Sequence, residues 1–278
     1  MIAFPPCKIN LGLHVTGKRT DGFHALESVF LPINFTDALE VIENPDQNPG
    51  EYTFSHSGIA IPGEAKMNSV IKAYVELSKR FELPAVKIHL HKVIPIGAGL
   101  GGGSSNGAAM LVLLNEKFKL NLPQTELLEY AARLGSDCPF FIVNQACYVT
   151  GRGELLEPYA LDLSTRFMVL VNPGIHSSTA EAFAGITPQS SREDIREICR
   201  LPVTEWKGKL INDFERGLSN KYPEIKAIKE GLYEAGADYA AMTGTGSTVF
   251  GIFEKDPGEL EFPPTYWVFK LAGASAIG

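Results

Sequence analysis

Cysteine is scarce in this chain, with four in 278 residues at Cys7, Cys138, Cys147 and Cys199 and no CxxC pair. That spacing excludes a disulfide framework and a cysteine zinc site, and predicts buried thiols in a reducing compartment. Positive charge is also in short supply. A net charge of -7 excludes a general nucleic-acid-binding surface, which needs a basic face. Any anion site must therefore be local, built from backbone dipoles and a few lysines. No apolar run approaches membrane-spanning length. The N-terminal residues Met1 to Pro6 carry no basic segment ahead of an apolar one, so no secretory leader is predicted and a cytoplasmic location is expected. Short-period repeats and low-complexity linkers are missing as well. What remains is an ordinary globular composition, 45% hydrophobic and 21% charged, long enough for two domains or one large one.

Glycine, by contrast, is concentrated. The stretch Pro95-Ile96-Gly97-Ala98-Gly99-Leu100-Gly101-Gly102-Gly103-Ser104-Ser105-Asn106 packs five glycines into seven residues, and the apolar run Ala108 to Leu114 follows. So much glycine has a high ordering entropy. Its use is bare backbone N–H groups that wrap an anion, with the next helix pointing its positive end at the same place. The stretch therefore reads as a phosphate cradle. It is not a Walker A loop, because Gly103 stands where the lysine belongs. Gly97 to Gly102 matches GxGxxG, a pattern shared by dinucleotide folds and protein kinases. A dinucleotide fold is disfavoured. The motif starts ninety-odd residues into the chain, Pro95 interrupts the tight strand-to-helix turn, and Glu116, the acidic residue at about the right distance, lies inside the predicted helix.

Periodicity places this loop in a mixed chain. Lys8 to Val15 alternates like a strand, with Lys8, Asn10, Gly12 and His14 on one face and Ile9, Leu11, Leu13 and Val15 on the other. Thr16 to His24 is turn chemistry around Asp21-Gly22. Strands are predicted at 27–33, 38–42 and around 52–55. Asn68 caps a predicted helix carrying Val70, Tyr74, Leu77 and Phe81. The strand 86–93 leads into the glycine loop and a helix to about Phe118. A helix over 125–134 ends at Gly135, ahead of Ser136-Asp137-Cys138-Pro139-Phe140-Phe141, and a strand over 146–150 follows. Further on come a strand at 167–171, a capping-box pattern Ser178-Thr179-Ala180-Glu181 opening a helix with Phe183, a helix from Pro223 to Ala235 and a strand at 249–253. Strands and helices mix without strict alternation, which predicts the α+β class. His89 and His91 share a strand face, but no third ligand is apparent and they read as a solvated pair.

Pro95-x-x-x-Gly99-Leu100-Gly101-x-x-Ser104-Ser105 resembles the ATP-binding motif of the GHMP family of small-molecule kinases. Other segments agree in order: Cys7-Lys8-Ile9-Asn10-Leu11, Asp21-Gly22-Phe23-His24, Gly135 to Phe141, Asn212-Asp213-Phe214-Glu215, and Met242-Thr243-Gly244-Thr245-Gly246-Ser247 as the third motif. The resemblance spans nearly the whole chain. It implies a two-domain GHMP kinase fold, with an N-terminal domain like domain 2 of ribosomal protein S5 (residues 1–152), a C-terminal ferredoxin-like domain (153–278) and the active site in the cleft between them. The branch it points to phosphorylates a hydroxyl of a cytidine-diphosphate-linked sugar alcohol in isoprenoid precursor synthesis. ATP would be the donor and Mg²⁺ the cofactor, with no nucleic-acid or membrane partner; monomer and homodimer both stay open.

The resemblance also implies roles. Asp137 would accept or orient the proton of the attacking hydroxyl, with Lys8 beside it stabilising the alkoxide; otherwise Asp137 is a helix cap and Lys8 a surface lysine. Phe23 and Phe183 would sandwich the cytosine ring, His24 would read its edge, and Thr179 and Asn10 would bind the diphosphate or polyol. On the apolar-face reading Phe183 is core. ATP would be held by Lys92, by Pro95 through Asn106, and by Gly244, Thr245 and Gly246; Ser104 or Ser105 would ligate Mg²⁺. Three rivals stand beside this reading: a family kinase acting on homoserine or mevalonate, a silent relative that senses a ligand, and a dinucleotide oxidoreductase.

Overall fold

A computed structural model describes residues 1–184, 186–189 and 192–274. Its strands are β1 (Ile2–Ala3), β2 (Pro6–Lys18), β3 (His24–Thr36), β4 (Ala38–Glu43), β5 (Tyr52–Gly58), β6 (Val86–Lys92), β7 (Cys147–Thr150), β8 (Leu155–Pro158), β9 (Leu163–Asn172), β10 (Tyr239–Met242), β11 (Val249–Phe253) and β12 (Trp267–Ala274). Its α-helices are α1 (Ser69–Ser78), α2 (Gly102–Lys117), α3 (Gln124–Leu134), α4 (Cys138–Val143), α5 (Thr179–Phe183), α6 (Ile195–Arg200), α7 (Asp213–Lys221) and α8 (Pro223–Glu234). By packing, the chain divides into two units that interleave in sequence. One comprises Met1–Cys7, Asn34–Ile96 and Gly101–Asn144, the other Lys8–Ile33, Gly97–Leu100 and Gln145–Gly278. This division does not coincide with a single boundary at 152/153. The reason is β-pairing: the early hairpin of β2 and β3 is hydrogen-bonded into a sheet with β7 and β8, so its contacts are made far along the chain.

In the first unit the sheet order is β1-β4-β6-β5. Leu39 opposite Leu90 and Val41 opposite Ile88 face a core shared with Val70, Tyr74 and Leu77 of α1 and Met110, Leu111 and Leu114 of α2. Each such side chain contributes roughly 1.5–3 kcal/mol by leaving water. The Asn68 side chain accepts the Val70 N–H at 3.0 Å, so the predicted cap is present. His89 and His91 point to the other face, where Ser55 and Ser57 engage both imidazoles at 2.9 Å. Among the described residues no group of three or more His, Cys, Asp or Glu side chains is arranged to hold a metal ion.

In the second unit the antiparallel sheet β10-β11-β9-β12 is covered by α7 and α8, whose Phe214, Leu218, Ile225, Ile228 and Leu232 meet Val169, Val171, Ala240 and Val249. Strand β2 departs from simple alternation. Gly12 has φ +66° in mid-strand, a backbone state that favours glycine and breaks the regular pleat. Before it, Lys8 and Asn10 reach Phe30 and Ser28 of β3. Beyond it, Leu13 and Val15 join the helix-covered core, while His14 and Thr16 line a polar cleft with Glu27 and Tyr148. One glycine thus turns His14 away from the face that the sequence pattern shares between Lys8, Asn10 and His14. No helix of the described residues is long and apolar enough to cross a membrane.

Candidate active site

The glycine loop is built on a buried carboxylate that the sequence reading did not single out. Asp37, between β3 and β4, has a fully buried side chain. Its Oδ1 accepts the backbone N–H groups of Val93 at 2.8 Å and Ile94 at 2.9 Å. Its Oδ2 accepts Asn106 Nδ2 at 2.8 Å and the Lys92 ammonium. Burial lowers the Lys92 pKa, and the Asp37 charge opposes that shift. Lys92 and Asn106, both expected at the nucleotide, are therefore committed to Asp37 inside the protein. A lone lysine at this depth would carry a heavy desolvation cost, so it takes the carboxylate rather than solvent. A Cβ on Gly102 would fall 2.9 Å from Lys92 Nζ. The first turn of α2 thus rests directly on this ion pair, and only glycine allows the approach. Gly103 faces open space.

The preceding residues of the loop, Gly97–Leu100, are hydrogen-bonded to the third motif through one side-chain and one backbone donor. Thr243 Oγ1 donates to the Gly99 carbonyl at 3.3 Å, and Thr248 N donates to the Ala98 carbonyl at 3.3 Å. Gly99 has φ +77°, and a Cβ there would overlap the Thr243 carbonyl. Gly244 and Gly246, both expected at the nucleotide, are buried against this loop, and Thr245 stays half-exposed. The motif Asn212-Asp213-Phe214-Glu215 explains how. Asn212 Nδ2 donates to the carbonyls of Met242 and Gly244 at 2.8 and 2.9 Å. Glu215 accepts the Met242 N–H at 2.8 Å. Asn172 reaches Ser247 and Thr248 from β9 at 3.2 and 3.0 Å.

Lys8 is 3% exposed, not a surface lysine. Its ammonium donates to Asn10 Oδ1 at 2.5 Å and lies 4.3 Å from the Phe30 ring centroid. Asn10 Nδ2 donates to Ser28 Oγ at 3.0 Å, Ser28 Oγ donates to the Gly12 carbonyl at 2.6 Å, and the Asn10 N–H donates to Thr243 Oγ1 at 2.9 Å. Asn10 therefore carries a charged group while its own amide is fixed from two sides.

Asp137 stands at the N-cap position of α4, but its side chain does not cap the helix; the capping explanation for this residue falls away. The next residue, Cys138, hydrogen-bonds Ser104, and burial pushes its thiol up to about 11. The two loop hydroxyls differ. Ser104 is half-exposed, whereas Ser105 Oγ is enclosed without a hydrogen-bond partner.

Of the expected aromatic residues, one stacks on a neighbouring ring and one stands exposed. Phe23 is 54% exposed. Phe183 is half-buried, stacks on His24 at 4.7 Å with an interplanar angle of 19°, and meets Phe214 edge-on at 4.8 Å. His24 therefore occupies one face of Phe183, where the sequence reading places cytosine between Phe23 and Phe183. Thr179 is exposed at the start of α5. Ser178 caps that helix through the Glu181 N–H at 3.1 Å. The Glu181 carboxylate, the other half of the expected capping box, instead accepts from Lys221 and Tyr222.

Known proteins resemble this chain over nearly its whole length. The family description "GHMP kinases N terminal domain" matches residues 68–145, and "GHMP kinases C terminal" matches residues 193–261. The chain is 49% identical over 256 residues to a Bacteroides fragilis protein named 4-diphosphocytidyl-2-C-methyl-D-erythritol kinase, covering 92% of this chain and 93% of that one. A Cytophaga hutchinsonii protein of the same name is 46% identical, covering 92% and 94%. Among solved structures, a 4-(cytidine 5'-diphospho)-2C-methyl-D-erythritol kinase aligns with TM-score 0.75 and 28% identity over 98% of this chain and 100% of that one. A Cytophaga hutchinsonii homoserine kinase shares the fold alone, with TM-score 0.69 and 16% identity over 99% and 96% of the two chains. With both family halves matched and close relatives spanning nearly its whole length, the chain belongs to the GHMP kinase family.

Proposed function

We propose that this kinase transfers the γ-phosphate of ATP to the 2-hydroxyl of 4-diphosphocytidyl-2-C-methyl-D-erythritol, the phosphorylation step of the non-mevalonate route to isoprenoid precursors. The observation that carries the substrate is the set of relatives of that name at 46–49% identity over 92% of the chain. Homoserine and mevalonate kinases share only the fold, at 14–16% identity. The presence of both Lys8 and Asp137 speaks for catalysis over mere ligand sensing.

Phosphoryl transfer asks a protein for position and charge more than for covalent chemistry. On this reading Asp137 takes or orients the proton of the attacking hydroxyl. Lys8, held by Asn10 in a site nearly closed to water, stabilises the negative charge that develops on the alkoxide. The glycine loop and the start of α2 present backbone N–H groups to the ATP phosphates, and Thr179 meets the diphosphate of the acceptor. The residues fit Mg²⁺ in its usual manner, with most ligands supplied by phosphate and water and a single hydroxyl from the protein. Ser104 is that hydroxyl, since Ser105 is closed off. When bound, Mg²⁺ would neutralise charge on the phosphate oxygens.

The test is ATP consumption by the purified protein with the cytidyl substrate and Mg²⁺, wild type beside Asp137→Ala. Turnover is expected in the wild type, with a loss of about 10³-fold in the variant while ATP binding persists. A folded, ATP-binding wild type that ignores this substrate but phosphorylates homoserine or mevalonate would sink the substrate assignment and keep the family.

A further inference from the structure

Phe23 sits in the turn between β2 and β3, and burial gives no reason for a large aromatic to be there. The turn is nonetheless well fixed. The Arg19 N–H donates to the Phe23 carbonyl at 2.8 Å. Asp21 Oδ1 accepts the Phe23 N–H at 3.1 Å, and the same carboxylate receives Arg19 Nε at 3.0 Å. The backbone thus holds the ring outward in a defined place.

A second element then comes to the ring. Arg152 belongs to the turn between β7 and β8, and that turn is tied to β3 by the Leu26 N–H donating to the Gly151 carbonyl at 2.8 Å. The Arg152 guanidinium carbon lies 4.9 Å from the Phe23 ring centroid. Its salt-bridge partner among the described residues is Glu154 of the same turn, with Nε 3.5 Å from Oε1 and the side chain 41% exposed, and its charge also reaches the Asp21 carboxylate of the Phe23 turn. An exposed pair at that distance is weak and easily exchanged. A planar guanidinium can stack on a ring with its face and donate to phosphate with its edge at the same time, which a lysine cannot do.

We propose that Arg152 is a substrate-specificity residue: its guanidinium braces one face of Phe23, the base of the nucleotide-linked acceptor lies on the other face, and its outward N–H groups bind that acceptor's diphosphate. The inference rests on reading Phe23 as a platform for the base. It adds to that reading a charged contact that ATP does not share, so the acceptor and the donor should respond differently to its removal. The two halves of the acceptor are read by one stacked pair: the base by the ring, the diphosphate by the cation behind it.

The experiment measures steady-state kinetics for wild type, Arg152→Ala, Arg152→Lys and Phe23→Leu, with each substrate varied in turn, and titrates CDP itself into each protein calorimetrically. All three substitutions are at exposed positions, and thermal melts check that each variant is folded. Arg152→Ala is expected to raise KM for the cytidyl acceptor and the dissociation constant of CDP by about tenfold or more, with KM for ATP within about twofold. Arg152→Lys should recover only part of the loss, because it keeps the charge and loses the plane. The acceptor KM of the wild type should climb between about 50 and 300 mM KCl, more steeply than that of Arg152→Ala. The proposal is overturned if Arg152→Ala leaves acceptor KM and CDP affinity unchanged while Phe23→Leu weakens both. If Phe23→Leu also changes neither, the platform reading itself fails and the proposal falls with it, although ATP-dependent turnover of the acceptor would still stand.

Discussion

Lys8 shows how much a single side chain depends on its surroundings. In sequence it is one polar residue of an alternating strand; in the structure it is enclosed, with its ammonium on Asn10 and the Phe30 ring. Replacing it with methionine keeps the length and the apolar stem. Lys8→Met is therefore expected to fold and bind ATP normally but to lose about 10²- to 10³-fold in kcat, the scale seen when a preorganised charge is taken from a transition state. Rapid-mixing measurement of the phosphoryl-transfer step would check it, and a loss confined to KM would refute the role. The types of the proposed reacting residues were legible from motif and chemistry alone. The residues that hold them were not. Ser28, which fixes Asn10, is a hydroxyl without any pattern of its own; Thr243 stands in the third motif, but nothing in that motif points to a partner 233 residues away in sequence. Asp37 looked like any acidic residue at a strand start. Its one available signal was its place ahead of an apolar strand, among residues with little reason to tolerate a charge.

At the scale of elements, the predicted helices and strands were visible where one face repeats with a fixed period. α1 and β6 carried that signal, whereas α2 was marked by the glycine loop and the apolar run after it, α3 by its stop at Gly135 and α8 by its opening Pro223; the predicted extents of all five differ from the observed ones by a few residues at most. Segments too short or too fully buried to show a period escaped notice, among them α4, α6, β8 and β10. The closing strand β12 was missed for a different reason: it lies along β9, and only that pairing makes it a strand. The left-handed backbone of Gly12 defeated the alternation itself. The start of α2 makes an energetic prediction possible. Asp37→Ala removes the acceptor for two backbone N–H groups, one amide and one buried ammonium together. Breaking a buried ion pair from one side costs about 3–5 kcal/mol, and the variant should lose that much stability in urea unfolding. Asp37→Ala combined with Lys92→Met should recover a substantial part of it, because no charge is then left stranded. Equal instability of single and double variants would show that the ion pair is not what carries the loop.

For the molecule as a whole, the distribution of buried charge sets its response to acid. His14 is 2% exposed with an unpartnered Nε2. Its pKa is lowered, first by burial and then by Arg192, while Asp213 and Asp194 oppose the shift. Folding therefore favours the neutral imidazole. The unfolded chain takes up a proton near the ordinary histidine value of about 6.5, whereas the folded chain resists until lower pH. By linkage, the stability supplied by neutral His14 is fully present above that value and falls as pH drops through it toward the lower folded pKa. His14→Gln should flatten the fall in melting temperature between about pH 6.5 and 5. A variant whose melting temperature falls as steeply as the wild type's would assign the acid sensitivity elsewhere.

The hydrogen-bonded interlock of the two glycine loops also bears on the order in which a living cell can assemble the cradle. Gly99 is bonded to a residue 144 positions later, and Asn10, which carries the Lys8 ammonium, waits for that same threonine. A ribosome emits about 5–20 residues per second, so the segment with Lys8 is outside the exit tunnel for many seconds before its partner exists. During that interval the early hairpin is complete in sequence while its Thr243 contacts are not, so the cradle closes late in synthesis, after most of the chain has emerged.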